Sequence, residues 1–381
     1  MLPSVLFVSK PVDPPVNDGT KHLVMTLAAH LGRYVPRVMT TRHVHSLGNK
    51  ILADAIYESA SSYAPSFMNN LRAARHLATG PKPDLWHFVF APNLKSSSMG
   101  RFLKSLRRVP VVQTVASRPR QFDEGSRLLF GDVVVAQSRD TRDRLNQAWE
   151  RGHVKVSSPA KAPRIEVIPP PVGAVRVPTM EDTMAIRKAL DIGSNTPILL
   201  YPGDLEVSHG ARIVKAAAVV TMQRHPTAVV VFAYRDKTPN TAQIAAELMR
   251  DLNPARVRFV RETPDILALV RTSAALLFPV DDLYGKVDIP IILLEAMALS
   301  TPIVTYRQGP LADLEGVEIV SAGDPLALAD TAVALIDDHG RRNRCIEKQR
   351  QTVERNHDAA RVTAAYEDLY DALRGRAASR T

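Results

Sequence analysis

Short apolar runs rich in β-branched residues alternate with longer amphipathic stretches along nearly the whole chain. In the first half the runs Ser4–Val8, Arg37–Thr40, Asp84–Phe88, Val109–Thr114, Asp132–Gln137 and Ile165–Ile168 predict strands. Between them Thr20–Gly32, Phe67–Thr79, Ser97–Arg107 and Arg139–Arg151 carry a helical period. The second half repeats the scheme, with predicted strands at Ile198–Tyr201, Ala228–Phe232, Val257–Val260, Ala274–Phe278, Pro302–Thr305 and Glu318–Val320. Predicted helices there are His209–Arg224, Ala242–Leu252, Thr263–Thr272, Ile291–Leu299 and Pro325–Asp337, followed by Arg341–Arg355 and Asp358–Arg374. Strand-helix alternation requires parallel sheets with right-handed crossovers, because two parallel neighbours cannot be joined by a tight hairpin. The segment Arg42–Pro65 has no clear period and reads as a mobile excursion near the cleft.

Proline divides the two series. Pro159, Pro163, Pro169, Pro170, Pro171 and Pro178 fall close together, where neither a central strand nor a helix interior tolerates them. The expected organisation is an N-terminal Rossmann-like domain over 1–168, a linker over 169–179 and a second such domain over 180–356. A last helix, within 357–381, is expected to pack back on the first domain. The fold class is α/β, with two doubly wound domains facing a central cleft, where ligands gather at the carboxyl ends of the strands.

Composition narrows the classes. At 381 residues, 45% apolar and 23% charged, the chain has the make-up of globular domains, not of a disordered polymer. Its longest apolar runs are far short of the roughly 18 residues a membrane span needs. The N-terminal apolar run lacks a preceding charged region and reads as a first strand, not as a signal peptide. One cysteine, Cys345, excludes a disulfide framework and a cysteine-cluster metal site. A cytoplasmic location is expected. Residues 1–170 hold 24 Lys/Arg against 12 Asp/Glu, and the remainder 25 against 27, so the basic excess lies wholly in the first half. That half is expected to meet something anionic: a phosphorylated substrate, an acidic glycan or the inner membrane surface. Lys95, Lys104, Arg107 and Arg108 on or beside one predicted helix are the candidate basic patch. No helix-turn-helix, zinc or RNA-binding signature accompanies the charge, which argues against nucleic acid.

Three passages narrow the reading further. They are Val5-Leu-Phe-Val-Ser-Lys-Pro-Val-Asp-Pro-Pro-Val-Asn-Asp-Gly19, Arg164-Ile-Glu-Val-Ile-Pro-Pro-Pro-Val-Gly173 and Leu294-Glu-Ala-Met-Ala-Leu-Ser-Thr-Pro-Ile-Val-Thr305. In order and spacing they resemble the retaining family-4 glycosyltransferases of the GT-B fold, and the third is the specific one. The resemblance implies transfer of a hexose-type sugar from a UDP- or GDP-linked donor to a glycan, lipid-linked or anionic acceptor. It implies retention of configuration, no cofactor beyond the nucleotide-sugar co-substrate, and no metal ion. It also implies that the departing phosphate takes the acceptor proton, so that no dedicated base is needed.

The resemblance assigns Glu295 to the nucleotide ribose, and the helix starting near Pro290 and Ile291 to the diphosphate, whose charge suits exposed backbone N–H groups. Gly203, Asp204 and His209 occupy the phosphate loop of the second domain. Gly19 and Lys21 close the first loop, where Gly19 permits close backbone approach. The expected catalytic set is Asp288, Lys286, His87 and Arg118. Departures from the family pattern are equally plain. Val287 stands eight positions before Glu295, where relatives carry a second glutamate, leaving Asp288 either to replace it or to cap the following helix. Asp204 replaces the usual arginine of the phosphate loop, where a carboxylate repels a diphosphate. Ala116 stands at a histidine position, with Ser117, Arg118 and Arg120 after it. His87 is either an active-site contact or a hydrogen-bonded core histidine. These losses also admit a protein of the same fold that binds or scaffolds without catalysis.

Overall fold

The computed structural model describes all residues except 1, 15, 17, 49, 61–64, 120, 121, 123, 124, 154–162, 237, 264, 284 and 379–381. Arg120 and Pro159 therefore lie outside the described residues. The chain divides into two compact units, the first comprising Met1–Gly173, Tyr284–Ile289 and Asn356–Thr381, the second Ala174–Leu283 and Pro290–Arg355.

The first unit is built on a seven-stranded parallel sheet of β1 (Ser4–Val12), β2 (Val35–Thr41), β3 (Leu52–Tyr57), β4 (Leu85–Phe90), β5 (Val111–Val115), β6 (Val133–Ala136) and β7 (Arg164–Val167). Its spatial order is β3-β2-β1-β4-β5-β6-β7, a doubly wound arrangement whose order reverses between β1 and β4. The connecting helices are α1 (Gly19–His30), α2 (Phe67–Thr79), α3 (Leu94–Arg107), the single turn α4 (Gly125–Leu128) and α5 (Arg139–His153). α1 starts where Asp18 accepts the backbone N–H groups of Thr20 and Lys21, and its Leu23, Val24, Leu27 and Ala28 enter one layer of core. On the opposite face Ala73 and Leu77 of α2 and Leu103 of α3 pack with Trp86 and Phe88 of β4.

β3 corrects the expectation of an aperiodic excursion at Arg42–Pro65. Among the described residues it is an edge strand paired with β2 alone, and its Asp54 side chain is largely buried. Asp54 Oδ2 accepts from Arg37 Nη2 at 2.7 Å and pairs with His76 Nε2 at 2.9 Å. An edge strand bearing a charge breaks the apolar alternation by which strands are read, and it also blunts the open edge.

The second unit repeats the architecture with six parallel strands: β8 (Ile198–Pro202), β9 (Val229–Tyr234), β10 (Val257–Arg261), β11 (Ala275–Phe278), β12 (Ile303–Tyr306) and β13 (Glu318–Val320). Their order is β10-β9-β8-β11-β12-β13, reversing between β8 and β11. Its helices are α6 (Met180–Ala189), α7 (Gly210–Arg224), α8 (Thr241–Met249), α9 (Ile266–Thr272), α10 (Ile291–Ala298), α11 (Pro325–Asp337) and α12 (His339–Thr352). α6 is absent from the periodicity because it buries only Ile186. A reciprocal capping box of Thr179 and Asp182 sets its start instead.

The last helix, α13 (Ala359–Ala378), belongs to the first unit. Val362, Tyr366, Leu369, Tyr370 and Leu373 recur at helical spacing and join the core layer of α1 and β1. Arg33 fixes the helix from outside: its backbone N–H reaches Glu367 Oε1 at 2.6 Å, and its guanidinium reaches Asp368 at 2.6 Å and Asp371 at 2.5 Å. Tyr34 donates to Asp371 Oδ1 at 2.6 Å, and burial with that bond pushes its pKa up to about 12. Tyr370 is wholly buried, so Tyr370→Ala is expected to lower unfolding free energy by about 3–5 kcal/mol, the usual range for emptying an aromatic site, read from urea midpoints.

Candidate active site

In the second unit the loop after β8 lies at the reversal of strand order, where open α/β sheets bind ligands. Gly203 is required there. A Cβ would stand 2.5 Å from the Tyr201 hydroxyl oxygen, and Tyr201 is itself buried and donates to the Asp204 carbonyl at 2.7 Å. Asp204 is buried, and its Oδ1 accepts the N–H groups of Val207 at 2.7 Å and Glu206 at 3.3 Å. This oxygen shapes the loop. His209 precedes α7 and is exposed, tied by its N–H and by Nδ1 to the two oxygens of Asp281 at 3.0 and 2.7 Å. Asp281 follows β11, so the pair spans the reversal point. The His209 contacts hold the Asp281 carboxyl below its ordinary range against the opposing effect of burial.

α10 begins at Ile291 with Pro290 before it, and no side chain caps its first turn. Asp288 therefore does not cap α10. Unpaired N–H groups at a helix start favour an anion. Glu295, half-buried in the second turn, has its pKa raised by burial and drawn back by the charge of Arg235, which follows β9.

In the first unit two lysines flank the loop after β1, Lys10 within the strand and Lys21 in the first turn of α1. Lys10 Nζ meets Asp18 Oδ2 at 2.7 Å, and Lys21 is buried, its pKa lowered by burial despite the charge of Asp18. Gly19 lies against Val287, whose methyls would stand 3.1 Å from a Cβ at that position. One residue on, Asp288 is buried and accepts from Ser138 Oγ at 2.6 Å. Ser138 also caps α5 by accepting the Thr141 N–H at 3.1 Å. Arg118 pairs with Asp140, and its charge reaches Asp288 as well. Burial raises the Asp288 pKa, offset first by the Ser138 bond. Asp288 Oδ1, Arg118 Nε and both amide atoms of Gln137 are buried without a hydrogen-bond partner among the described residues. Buried polar atoms left unpaired are costly, and a bound polar ligand is one way they are satisfied.

Comparison with known proteins bears on the second unit most directly. Residues 196–338 match the family model of glycosyl transferases group 1. That stretch runs from β8 through α11 and contains Gly203, Asp204, His209, Asp288, Ile291 and Glu295. No curated protein matches the chain in sequence. Among solved structures, the Anabaena Alr3699/HepE protein in complex with UDP-glucose is 14% identical with a TM-score of 0.73, covering 97% of this chain and 100% of its own. A glycosyltransferase from Rickettsia africae is 18% identical, TM-score 0.73, with 98% of each chain covered. Sucrose-phosphate synthase from Thermosynechococcus elongatus is 18% identical, TM-score 0.70, covering 98% of this chain and 99% of its own. At these identities the likeness establishes a shared fold: two Rossmann-like parallel-sheet domains, as in glycosyltransferases.

Within the group 1 segment the structure sets Glu295, Ile291 and Arg235 in one neighbourhood, and Gly203, Asp204 and His209 in another around the reversal point. Asp288 and Arg118 come together in the first unit, with Gly19 beside Val287. Lys286 is half-buried in the same connecting segment. Gln137 and Ser138 close the weaker family echo Val134-Val-Ala-Gln-Ser138, whereas Arg235 and Asp140 are not singled out by motif. Each directly follows a strand or starts the next helix, which is the positional signal that could have found them.

His87 is a correction. It lies mid-strand in β4, fully buried, with Nε2 2.7 Å from Thr114 Oγ1 and Nδ1 2.7 Å from the Tyr370 hydroxyl. Rings of Phe7, Tyr366 and Tyr370 surround it. It is a core histidine with both nitrogens engaged, not a catalytic one. Burial pushes its pKa from about 6.5 down to about 3. The unfolded chain therefore takes up a proton below pH 6.5 that the folded chain refuses, so the stability present above that pH is lost as pH falls. Urea midpoints are expected to fall as pH drops from about 6.5 toward 4, and His87→Gln to remove a slope that approaches about 1.4 kcal/mol per pH unit well below pH 6.5.

Proposed function

We propose that this chain is a retaining glycosyltransferase of the family-4 kind, moving a hexose-type sugar from a UDP- or GDP-linked donor to a glycan, lipid-linked or anionic acceptor. The observation that carries the reading is Glu295, half-buried in the second turn of an uncapped helix with Arg235 beside it, inside the group 1 segment. A carboxylate is the natural acceptor for the two ribose hydroxyls. The helix start and Arg235 supply positive charge for a diphosphate, without a divalent ion in the scheme. HepE, of the same fold, binds UDP-glucose.

The first unit holds the acceptor in this scheme. Arg118, Gln137 and Asp288 present unpaired buried polar atoms of the kind a hydroxylated ligand satisfies. Lys10 and Lys21 add charge suited to an anionic acceptor. In transfer, the bond from the anomeric carbon to the donor phosphate oxygen breaks, and the acceptor oxygen bonds to the same face of that carbon. The acceptor proton passes to the departing phosphate oxygen, which suits a chain with Ala116 and a core-bound His87 where a base would be sought. Stabilising the charge that develops on the leaving diphosphate is the protein's main task.

A thermal-shift titration against UDP, GDP, ADP, TDP and CMP tests the reading, since a ligand that binds only the native state raises the melting temperature. One uridine or guanosine diphosphate is expected to stabilise the protein. Glu295→Ala is expected to weaken that ligand about tenfold to a hundredfold, the loss of charge-assisted hydrogen bonds. Arg235→Ala is expected to weaken the diphosphate more than the nucleoside. Absence of any shift at saturating nucleotide would sink the proposal. A nucleotide shift without sugar turnover would favour the binding or scaffolding protein instead, the reading that Asp204 in place of an arginine supports.

A further inference from the structure

α2 and α3 lie side by side on one face of the first sheet, both held through the core layer around Trp86 and Phe88. Each turns apolar side chains away from that layer as well as toward it. On α3 the positions Met99, Phe102 and Leu106 follow one helical stripe that borders the stripe of the buried Ser97, Gly100 and Leu103. On α2 the stripe is Phe67, Met68 and Leu71, opposite the buried Asn69, Ala73 and Leu77. These six side chains are between 47% and 79% exposed. Single exposed hydrophobes are ordinary, but six on two adjacent helices mark a contact surface.

Charge identifies the partner. Neither helix contains an acidic residue. Lys95 continues the α3 stripe by one turn and is exposed, as are Arg75 on α2 and Arg108 at the end of α3. The other basic residues of the expected patch serve the fold. Lys104 Nζ reaches the Phe130 carbonyl at 2.9 Å and Asp132 at 2.7 Å, and Arg107 donates to the carbonyls of Ala78 and Gly80 at 2.9 and 2.8 Å.

We infer that the outward face of α2 and α3 is a docking surface for an anionic lipid bilayer, with the six apolar side chains entering the acyl boundary and Lys95, Arg75 and Arg108 meeting lipid phosphates. An apolar stripe flanked by cations is the pattern of an interfacial helix. A second copy of this chain docked face to face would set cation against cation. Nucleic acid would leave Met68, Leu71, Met99 and Leu106 without a partner. Both helices run antiparallel to the strands, so Phe67 and Lys95 near their starts lie at the carboxyl end of the sheet, the end that carries Gln137 and Arg118. A lipid-linked acceptor at the bilayer would therefore meet the binding end of this unit.

Co-sedimentation of the full chain with vesicles tests the surface without turnover, so it holds or fails separately from the transfer reading. The protein is expected to sediment with equimolar phosphatidylglycerol and phosphatidylcholine, weakly with phosphatidylcholine alone, and less as salt rises. The triple variant Phe67→Ser, Phe102→Ser, Leu106→Ser is expected to bind at least about tenfold more weakly, from lost apolar burial. Lys95→Gln and Arg108→Gln are each expected to weaken binding about fivefold, from a lost cation near an anionic surface. Because the substituted side chains are exposed, melting temperatures are expected to stay unchanged, which separates lost binding from lost folding. The inference is overturned if the unmodified protein ignores phosphatidylglycerol vesicles, or if the triple variant binds as before. It is equally overturned if the protein dimerises through this face and leaves vesicles unbound.

Discussion

In both sheets every described strand runs parallel to its neighbours, and that single constraint places the chemistry. Parallel pairing forces each strand to be followed by a crossover, so the strands of a sheet end at the same side. Where the strand order reverses, successive crossovers leave in opposite directions and the carboxyl ends stand open. Tyr201 and Gly203 illustrate the local cost of using that opening. The loop must turn so tightly above β8 that the tyrosine hydroxyl occupies the space of a Cβ, and it binds the Asp204 carbonyl to hold the turn. A loop fixed in this way presents its backbone without further ordering.

The same sheet constraint explains why similar polar residues fare so differently. His87 sits mid-strand in β4, so both faces of its residue lie in core, and its polarity must be met by Thr114 and Tyr370 within the protein. Gln137 and Ser138 lie just past β6, where the pleat ends and packing opens. Ser138 still finds Asp288 and the α5 N-terminus, while the Gln137 amide finds no protein partner among the described residues. A few residues along the strand axis therefore separate a structural histidine from an unsatisfied amide. Arg235 holds the matching position in the second unit, one residue beyond β9.

Most of the alternation that makes the fold was legible because buried parallel strands are continuous apolar runs and their helices bury one face. β3 and α6 escaped for opposite reasons. β3 is an edge strand whose Asp54 is satisfied by Arg37 and His76, so its pattern is polar where a strand's should be apolar. α6 buries one residue and is defined by its cap. At the candidate site, Glu295 was legible through its motif and its apolar helix. Asp288 was not assignable to a role from spacing alone, because the partner that decides it, Ser138, lies 150 residues away. Long-range hydrogen bonds of this kind leave no local trace in sequence.

The basic excess of the first half shows how a charge count resolves once side chains have places. Part of it is architectural. Arg107 and Lys104 donate to backbone carbonyls, Arg33 holds three carboxylates of α13, and Arg37 holds Asp54. In these positions the charged heads reach acceptors fixed by the fold and tie neighbouring elements together. Another part, Lys10 and Lys21, shares Asp18 at the first loop, where burial makes an additional anion favourable. A third set, Lys95, Arg75 and Arg108, stands exposed beside the apolar side chains of α2 and α3. Net charge alone could not separate these three uses. They are distinguished by what each cation faces: a carbonyl, a shared carboxylate, or solvent next to a hydrophobe.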